Sequence, residues 1–411
     1  MRRVVITGLG AVTPIGIGHA KYFANLCAGQ SGIGPITHFD TTGFETTIAG
    51  QVNDFDPALF LERKEARKLA RFIQFAVAAA KLAVADAKLA IGPDNCNEIA
   101  VVVGSGIGGI DMLEQQAYIL RDKGPSRLSP FTVPYMITDM AAGYVSIMLG
   151  AKGPNFCVVT ACATGTNCIG EAYKTIQRGA AEMALCGGAE AAITPLGVAS
   201  FSAARALSTR NAEPTRASRP FDRERDGFVM GEGGGIVVLE TLESAQKRGV
   251  HIYAELVGYG ASGDANHITA PAPGGEGAVR AIRAALKDAN LKPEDIDYVN
   301  AHGTSTELND KYETMALKTA FGDHAPKLAI SSNKSMIGHL LGASGAVELI
   351  ATTLSVVNDL APPTANYENP DPECDLDYIP KEARKMPIRA AISNSFGFGG
   401  HNAILVVKKY A

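Results

Sequence analysis

Short apolar runs alternate with longer stretches of helical periodicity over most of the chain, the pattern of α/β layering. The runs predict strands over Val4–Gly8, Glu98–Gly104, Asn155–Val159, Met183–Gly187 and Gly235–Glu240. Further on they predict strands over Ile252–Gly258, Ile296–Ala301, Leu328–Ser331, Ala390–Ser393 and Ala403–Val407. Helical spacing predicts helices over Arg63–Ala87, Gly277–Asn290, Glu307–Phe321 and Gly345–Asp359. The succession echoes itself. The strand-turn-helix around residue 162 has a counterpart in Leu328–Asn333 and the helix near Gly345. The strand ending Cys186–Glu190 has one in Ala391–Gly400, and Glu98–Gly109 parallels Asp297–Thr306. The expectation is two similar α/β halves, 1–250 and 251–411.

Composition narrows the class. Of 411 residues, 46% are hydrophobic and 19% charged, which suits a globular protein with a large core. The net charge of −4 supplies no basic field for nucleic acid. The N-terminus has no apolar stretch fit for a secretory signal, and Ala191–Ala204, broken by Pro195, is too short to span a bilayer. The expectation is a protein with no membrane partner, in the cytoplasm, or in an organelle stroma or matrix after loss of a transit peptide. The seven cysteines include no Cys-x-x-Cys pair, which argues against disulfides and a zinc site.

Cys162 follows an apolar run and precedes Cys168, Ile169, Ala172, Tyr173 and Ile176 at helical spacing. A thiol at a turn opening a helix faces free N–H groups and the positive end of the dipole. Its ordinary pKa of about 8.5 is then expected to fall by roughly one unit. Cys157, Cys168 and Cys186 fall within expected strands or helices and read as core. Three further loops follow expected strands: Asn300–Thr306 with His302, Lys334–His339, and Asn394–Gly400. Ligands of open α/β sheets bind at such strand ends. His302 and His339 lack a third ligand at metal-site spacing. Gly104-Ser105-Gly106-Ile107-Gly108-Gly109 is only a weak dinucleotide signal, because no acidic partner follows at the required distance.

These motifs, with Ser218-Arg219-Pro220-Phe221-Asp222, Arg225-Asp226-Gly227-Phe228 and Gly338–Ala343, closely resemble the β-ketoacyl-[acyl-carrier-protein] synthases of the dissociated, type II system. The resemblance covers essentially the whole chain. It implies the thiolase-like fold, a duplicated five-layered α-β-α-β-α arrangement, usually as a homodimer. It implies decarboxylative condensation of a malonyl carrier protein with an acyl group held on Cys162. His302 and His339 match the decarboxylation pair, and Lys334 and Glu348 match groups supporting the second histidine. Phe398 matches a position whose N–H joins that of Cys162 in an oxyanion hole and whose ring acts as a gate. Thr304 and Thr306 match hydroxyls that hold phosphopantetheine, although Thr306 also reads as a helix N-cap. Ile107 and Phe201 match the acyl pocket. Lys64, Arg67, Lys68, Arg127 and Arg205 match docking positions for the acidic acyl carrier protein. No cofactor or metal of its own is implied, since phosphopantetheine arrives on the carrier. His401 stands where some members carry threonine, and no catalytic role is expected of it. Competing readings are a polyketide ketosynthase, a non-catalytic chain-length partner and a coenzyme A thiolase. The last needs a second cysteine, and Cys374 lies outside any matching motif.

Overall fold

Val4–Thr13 forms a strand, β1, in which all ten residues are buried, the mark of a strand covered on both faces. The computed structural model describes residues 1–410. The other main strands are β2 (Ile99–Gly104), β3 (Asn155–Phe156), β4 (Met183–Glu190), β5 (Gly233–Thr241), β6 (Ala254–Gly263), β7 (Tyr298–Asn300), β8 (Ala329–Ser331), β9 (Ala390–Gly397) and β10 (His401–Lys409). They lie in the order β8-β7-β9-β10-β6-β1-β5-β4-β2-β3. Outward from the β1–β6 seam, both directions read first, fifth, fourth, second, third strand. Each side has two antiparallel pairings followed by two parallel ones. The seam itself pairs only Val4–Ile6 with Ala254–Leu256.

Helix α1 (Arg71–Asp86) covers the outer face of the first side, while α3 (Glu276–Ala289) and α4 (Glu307–Phe321) cover the second. Between the two sides lie α2 (Thr164–Gln177) and α5 (Ser344–Asn358), which touch strands of both. This α-β-α-β-α layering is the thiolase-like fold. One other stretch, Leu341–Asn358, is long and apolar. By length and composition it would cross a membrane, yet 89% of it is buried, so it is a core helix here.

Local departures from the sequence pattern have physical causes. The helix expected over Arg63–Ala87 breaks into Arg63–Ala66 and α1. The Arg71 guanidinium turns inward onto buried Glu232 at 3.0 and 2.7 Å, so it leaves the exposed basic run. Strand β3 stops at Phe156, and 157–160 lie outside any strand before the turn that holds Cys162.

The duplication extends to glycine contacts. A Cβ on Gly8 or Gly10 would lie 2.3 Å from Ala83 O or 1.9 Å from Ala79 O on α1. On Gly258 or Gly260 it would lie 2.5 Å from Ala285 O or 2.2 Å from Ala281 O on α3. The first strand of each side therefore seats its outer helix backbone to backbone. Gly260→Ala should destabilise the protein by about 3 kcal/mol in denaturant unfolding. Gly263→Ala on the same strand, with open space around it, should stay within about 0.5 kcal/mol.

Candidate active site

Cys162 sits in a single 3-10 turn, Ala161–Ala163, that feeds directly into α2. Ala161 adopts φ +50, a left-handed value that lifts the next residue out of the strand direction. Thr160 braces the turn, its hydroxyl donating to Asn167 Oδ1 at 2.6 Å and its N–H to Thr164 Oγ1 at 2.9 Å. The second side repeats the elbow at Leu341–Ala343, with Leu341 at φ +48 and Gly342 where the first side has Cys162. The two elbows touch.

Around Cys162 opens a cavity of about 430 Å³, lined among others by His302, His339, Thr304, Thr306, Ile107, Phe201 and Phe398. The sulfur and both imidazoles thus converge, although they lie far apart in the chain. The histidine rings are 5.3 Å apart, centre to centre, and nearly perpendicular. His339 Nδ1 accepts from the Leu341 N–H at 3.3 Å and lies 2.9 Å from Ser344 Oγ. An accepting Nδ1 leaves the proton on Nε2. His302 is fixed through its backbone: its N–H and that of Gly303 each donate to Glu313 at 2.8 Å.

Behind the rings, Lys334 and Glu348 form a fully buried ion pair. Burial holds both imidazoles well below their usual pKa, and the nearby Lys334 charge lowers them further. Both are therefore neutral at physiological pH, more firmly than an unperturbed histidine would be. The expected depression of the Cys162 pKa is not met. Desolvation by the cavity wall pushes the thiol up to about 12, and Lys334 and the Phe398 N–H only partly offset it. Glu190 and Glu348 add to the rise.

Strand β9 ends against the Cys162 turn: a Cβ on Gly397 would lie 2.5 Å from Thr160 O and 3.2 Å from Cys162 N. Phe398 follows, 37% exposed, with Gly399 and Gly400 at φ +85 and +76. Thr306 occupies the N-cap position of α4 but makes no capping bond. Its hydroxyl instead lies 2.9 Å from that of Thr304. Arg205, at φ +53, stands exposed at the cavity mouth. Lys64, Arg67, Lys68 and Arg127 are exposed outside it, with Lys68 Nζ 5.4 Å from the Phe131 ring centre. Cys374 is buried and does not line the cavity.

Two carboxylates escaped the sequence reading. Asp310 accepts from the N–H groups of Thr304 and Phe221 at 3.0 and 2.8 Å. Glu313 also accepts from Asn394 Nδ2 at 2.9 Å, and burial raises its pKa to about 7. Both sit on the inner face of α4 with Thr314 and Leu317. Acidic residues recurring on an otherwise buried stripe were the available signal.

A thiol with so high a pKa gains thiolate tenfold per pH unit throughout the neutral range. The rate of Cys162 alkylation by iodoacetamide should therefore climb steadily from pH 6 to pH 9, read by intact mass. A plateau near neutrality would contradict the raised value.

The Beta-ketoacyl synthase, N-terminal domain, family matches residues 1–245, and the Beta-ketoacyl synthase, C-terminal domain, matches residues 253–368. The chain is 58% identical over its full length to 3-oxoacyl-[acyl-carrier-protein] synthase 2 of Synechocystis sp., covering 98% of that protein. It is 54% identical to the enzyme of the same name from Staphylococcus aureus (strain COL), covering 99% of it. Among solved structures, a beta-ketoacyl synthase from Burkholderia phymatum superposes with TM-score 0.92 at 37% identity. A type II polyketide ketosynthase, bound to a hexaketide and in complex with its acyl-carrier protein, superposes with TM-score 0.92 at 36%. Both matches cover the whole of each chain. Domains matched in tandem, full-length relatives and an elbow cysteine facing two imidazoles lead to one conclusion: the chain belongs to the β-ketoacyl synthases, the condensing acyltransferases.

Proposed function

We propose that the chain elongates fatty acids by decarboxylative condensation, with Cys162 as acyl acceptor and His302 and His339 as the decarboxylation pair. The observation that carries this is the convergence of the sulfur and both imidazoles in one cavity with an apolar wall. The division of labour follows the duplication, with residues 1–250 supplying the nucleophile and 251–411 the histidines.

The Cys162 sulfur attacks the thioester carbonyl of an acyl carrier protein. The developing oxyanion meets the backbone N–H groups of Cys162 and Phe398. The carrier's sulfur leaves and takes up the proton that Cys162 gives, so no standing thiolate is needed. Malonyl carrier protein enters next. Its carboxylate leaves as CO2, and the electron pair passes onto the thioester as an enolate. The Nε2–H groups of His302 and His339 hold the enolate oxygen, as neutral donors suited to an anion that forms and vanishes within one turnover. The enolate carbon attacks the Cys162 thioester. Cys162 departs and is reprotonated, and a 3-oxoacyl carrier protein two carbons longer is released.

Lys334, paired with Glu348, keeps the imidazoles neutral by its charge. Thr304 and Thr306 receive the phosphopantetheine arm, Ile107 and Phe201 the acyl chain, and the Phe398 ring gates the entrance. Lys64, Arg67, Lys68, Arg127 and Arg205 offer positive charge to the acidic carrier. The only prosthetic group in the cycle is the one the carrier brings. We place the enzyme in the cytoplasm as a homodimer. Supporting the dimer, the two-residue strand β3 ends the sheet, and Leu120, Val133 and Ile147 in the segment beside it are exposed. Full-length identity to two synthases of this name favours fatty-acid over polyketide synthesis. The presence of Cys162 speaks against a non-catalytic partner, and the absence of Cys374 from the cavity wall against a thiolase.

Cys162→Ala should abolish condensation while the melting profile is retained; chain elongation by that variant would refute the assignment. His302→Ala and His339→Ala should each slow malonyl decarboxylation by about a hundredfold to a thousandfold. Acyl transfer to Cys162 should fall less, and release of CO2 from labelled malonyl carrier protein separates the two.

A further inference from the structure

The Gly104–Gly109 loop finds no phosphate role in the chemistry above, and its backbone is folded around an anion that belongs to the protein. Glu190, the last residue of β4, is fully buried. Its Oε1 accepts from the Ser105 hydroxyl at 2.6 Å and the Ile107 N–H at 3.2 Å. Its Oε2 accepts from the N–H groups of Gly106 at 2.8 Å and Gly342 at 2.9 Å. The Gly108 N–H donates in turn to Ser105 Oγ at 2.9 Å. This is the convergent arrangement of N–H groups that elsewhere cradles phosphate.

The glycines are what the cradle requires. A Cβ on Gly106 would lie 2.9 Å from Glu190 Oε2, and one on Gly342 would lie 2.7 Å from it and 2.3 Å from Gly106 N. Every group around the carboxylate is a donor. A neutral amide would turn its own NH2 against backbone N–H groups, so the site demands an acceptor at both oxygens. The three elements it joins flank the nucleophile. Ile107 is cavity wall, Gly342 belongs to the second elbow beside His339, and β4 is a strand of the first side. Ile107, Phe201 and Phe228 form an apolar wall of the cavity, backed by buried Ile193 and Val198.

We infer that Glu190 is a positioning residue that sets the acyl-side wall at Ile107 relative to Cys162 and thereby governs the loading of long acyl chains. The inference rests on Cys162 being the acyl acceptor. A short acyl group ends near the sulfur and barely meets the Ile107 wall, whereas a long one must pass along it.

The test is the rate of acyl adduct formation on Cys162, followed by intact mass, for Glu190→Gln and the full-length parent with short-chain and long-chain acyl carrier protein. The variant should load the long chain about a hundredfold more slowly, because a shift of about 1 Å in a positioning loop costs that much. Short-chain loading should change several-fold less. Ser105→Ala, which removes one donor and frees Gly108, keeps the charge and the fold. It should show the same bias toward short chains at about tenfold, and it decides the matter if Glu190→Gln does not fold. Equal losses at both lengths, or none, with normal loading by the parent would overturn the positioning role alone. No adduct on Cys162 in the parent would overturn it together with the acceptor assignment.

Discussion

The whole site depends on how closely two helix N-termini approach in the middle layer. Gly165 and Gly345, each the second residue of its helix, stand at the crossing of α2 and α5. A Cβ on Gly165 would lie 3.0 Å from Ala346 N and Gly342 O, and one on Gly345 would lie 1.9 Å from Thr166 Oγ1. Only hydrogen at both positions lets the elbows meet. That approach puts the Cys162 turn beside the Leu341–Ala343 turn, and the latter orients His339. Both dipoles then point their positive ends at one small volume. The sulfur is packed between the two elbows at the cavity wall, and there desolvation outweighs the dipole in the resting thiol.

Electrostatic arrangement at the site follows from burial. Lys334 and Glu348 satisfy each other inside the core, where an unpaired charge is strongly destabilising. Burial keeps the two imidazoles from taking up protons, and the lysine's positive charge adds to that effect. Neutral imidazoles, a protonated thiol and a buried ion pair leave these groups with little net charge at rest.

Much of this was legible in the chain. The apolar runs located nearly every strand. The strand-turn-helix at Cys162 and the loops of His302 and His339 were read from residue type and spacing, and the resemblance to a known family supplied their roles. What escaped was set by contacts between segments distant in sequence. The sign of the Cys162 shift depends on wall residues from both sides of the duplication. The single-helix reading of Arg63–Ala87 missed the break after Ala66, beyond which Arg71 finds its partner at Glu232. Thr306 gave up its cap because Thr304 lies within reach. Asp310, Glu313 and Glu190 hold loops through backbone N–H groups, which carry no side-chain identity and leave no motif.

The seam between β1 and β6 is three residue pairs wide, so little of the adhesion between the two sides runs through the sheet. It runs through α2, whose Asn167 and Tyr173 bond Tyr259 and Val257 on β6 at 2.6 and 3.0 Å, and whose Gly170 lies against the Tyr259 ring. Neither side has a complete inner surface of its own. Severed near residue 250, each fragment would present bare apolar helix to water, so the two sides fold as one unit.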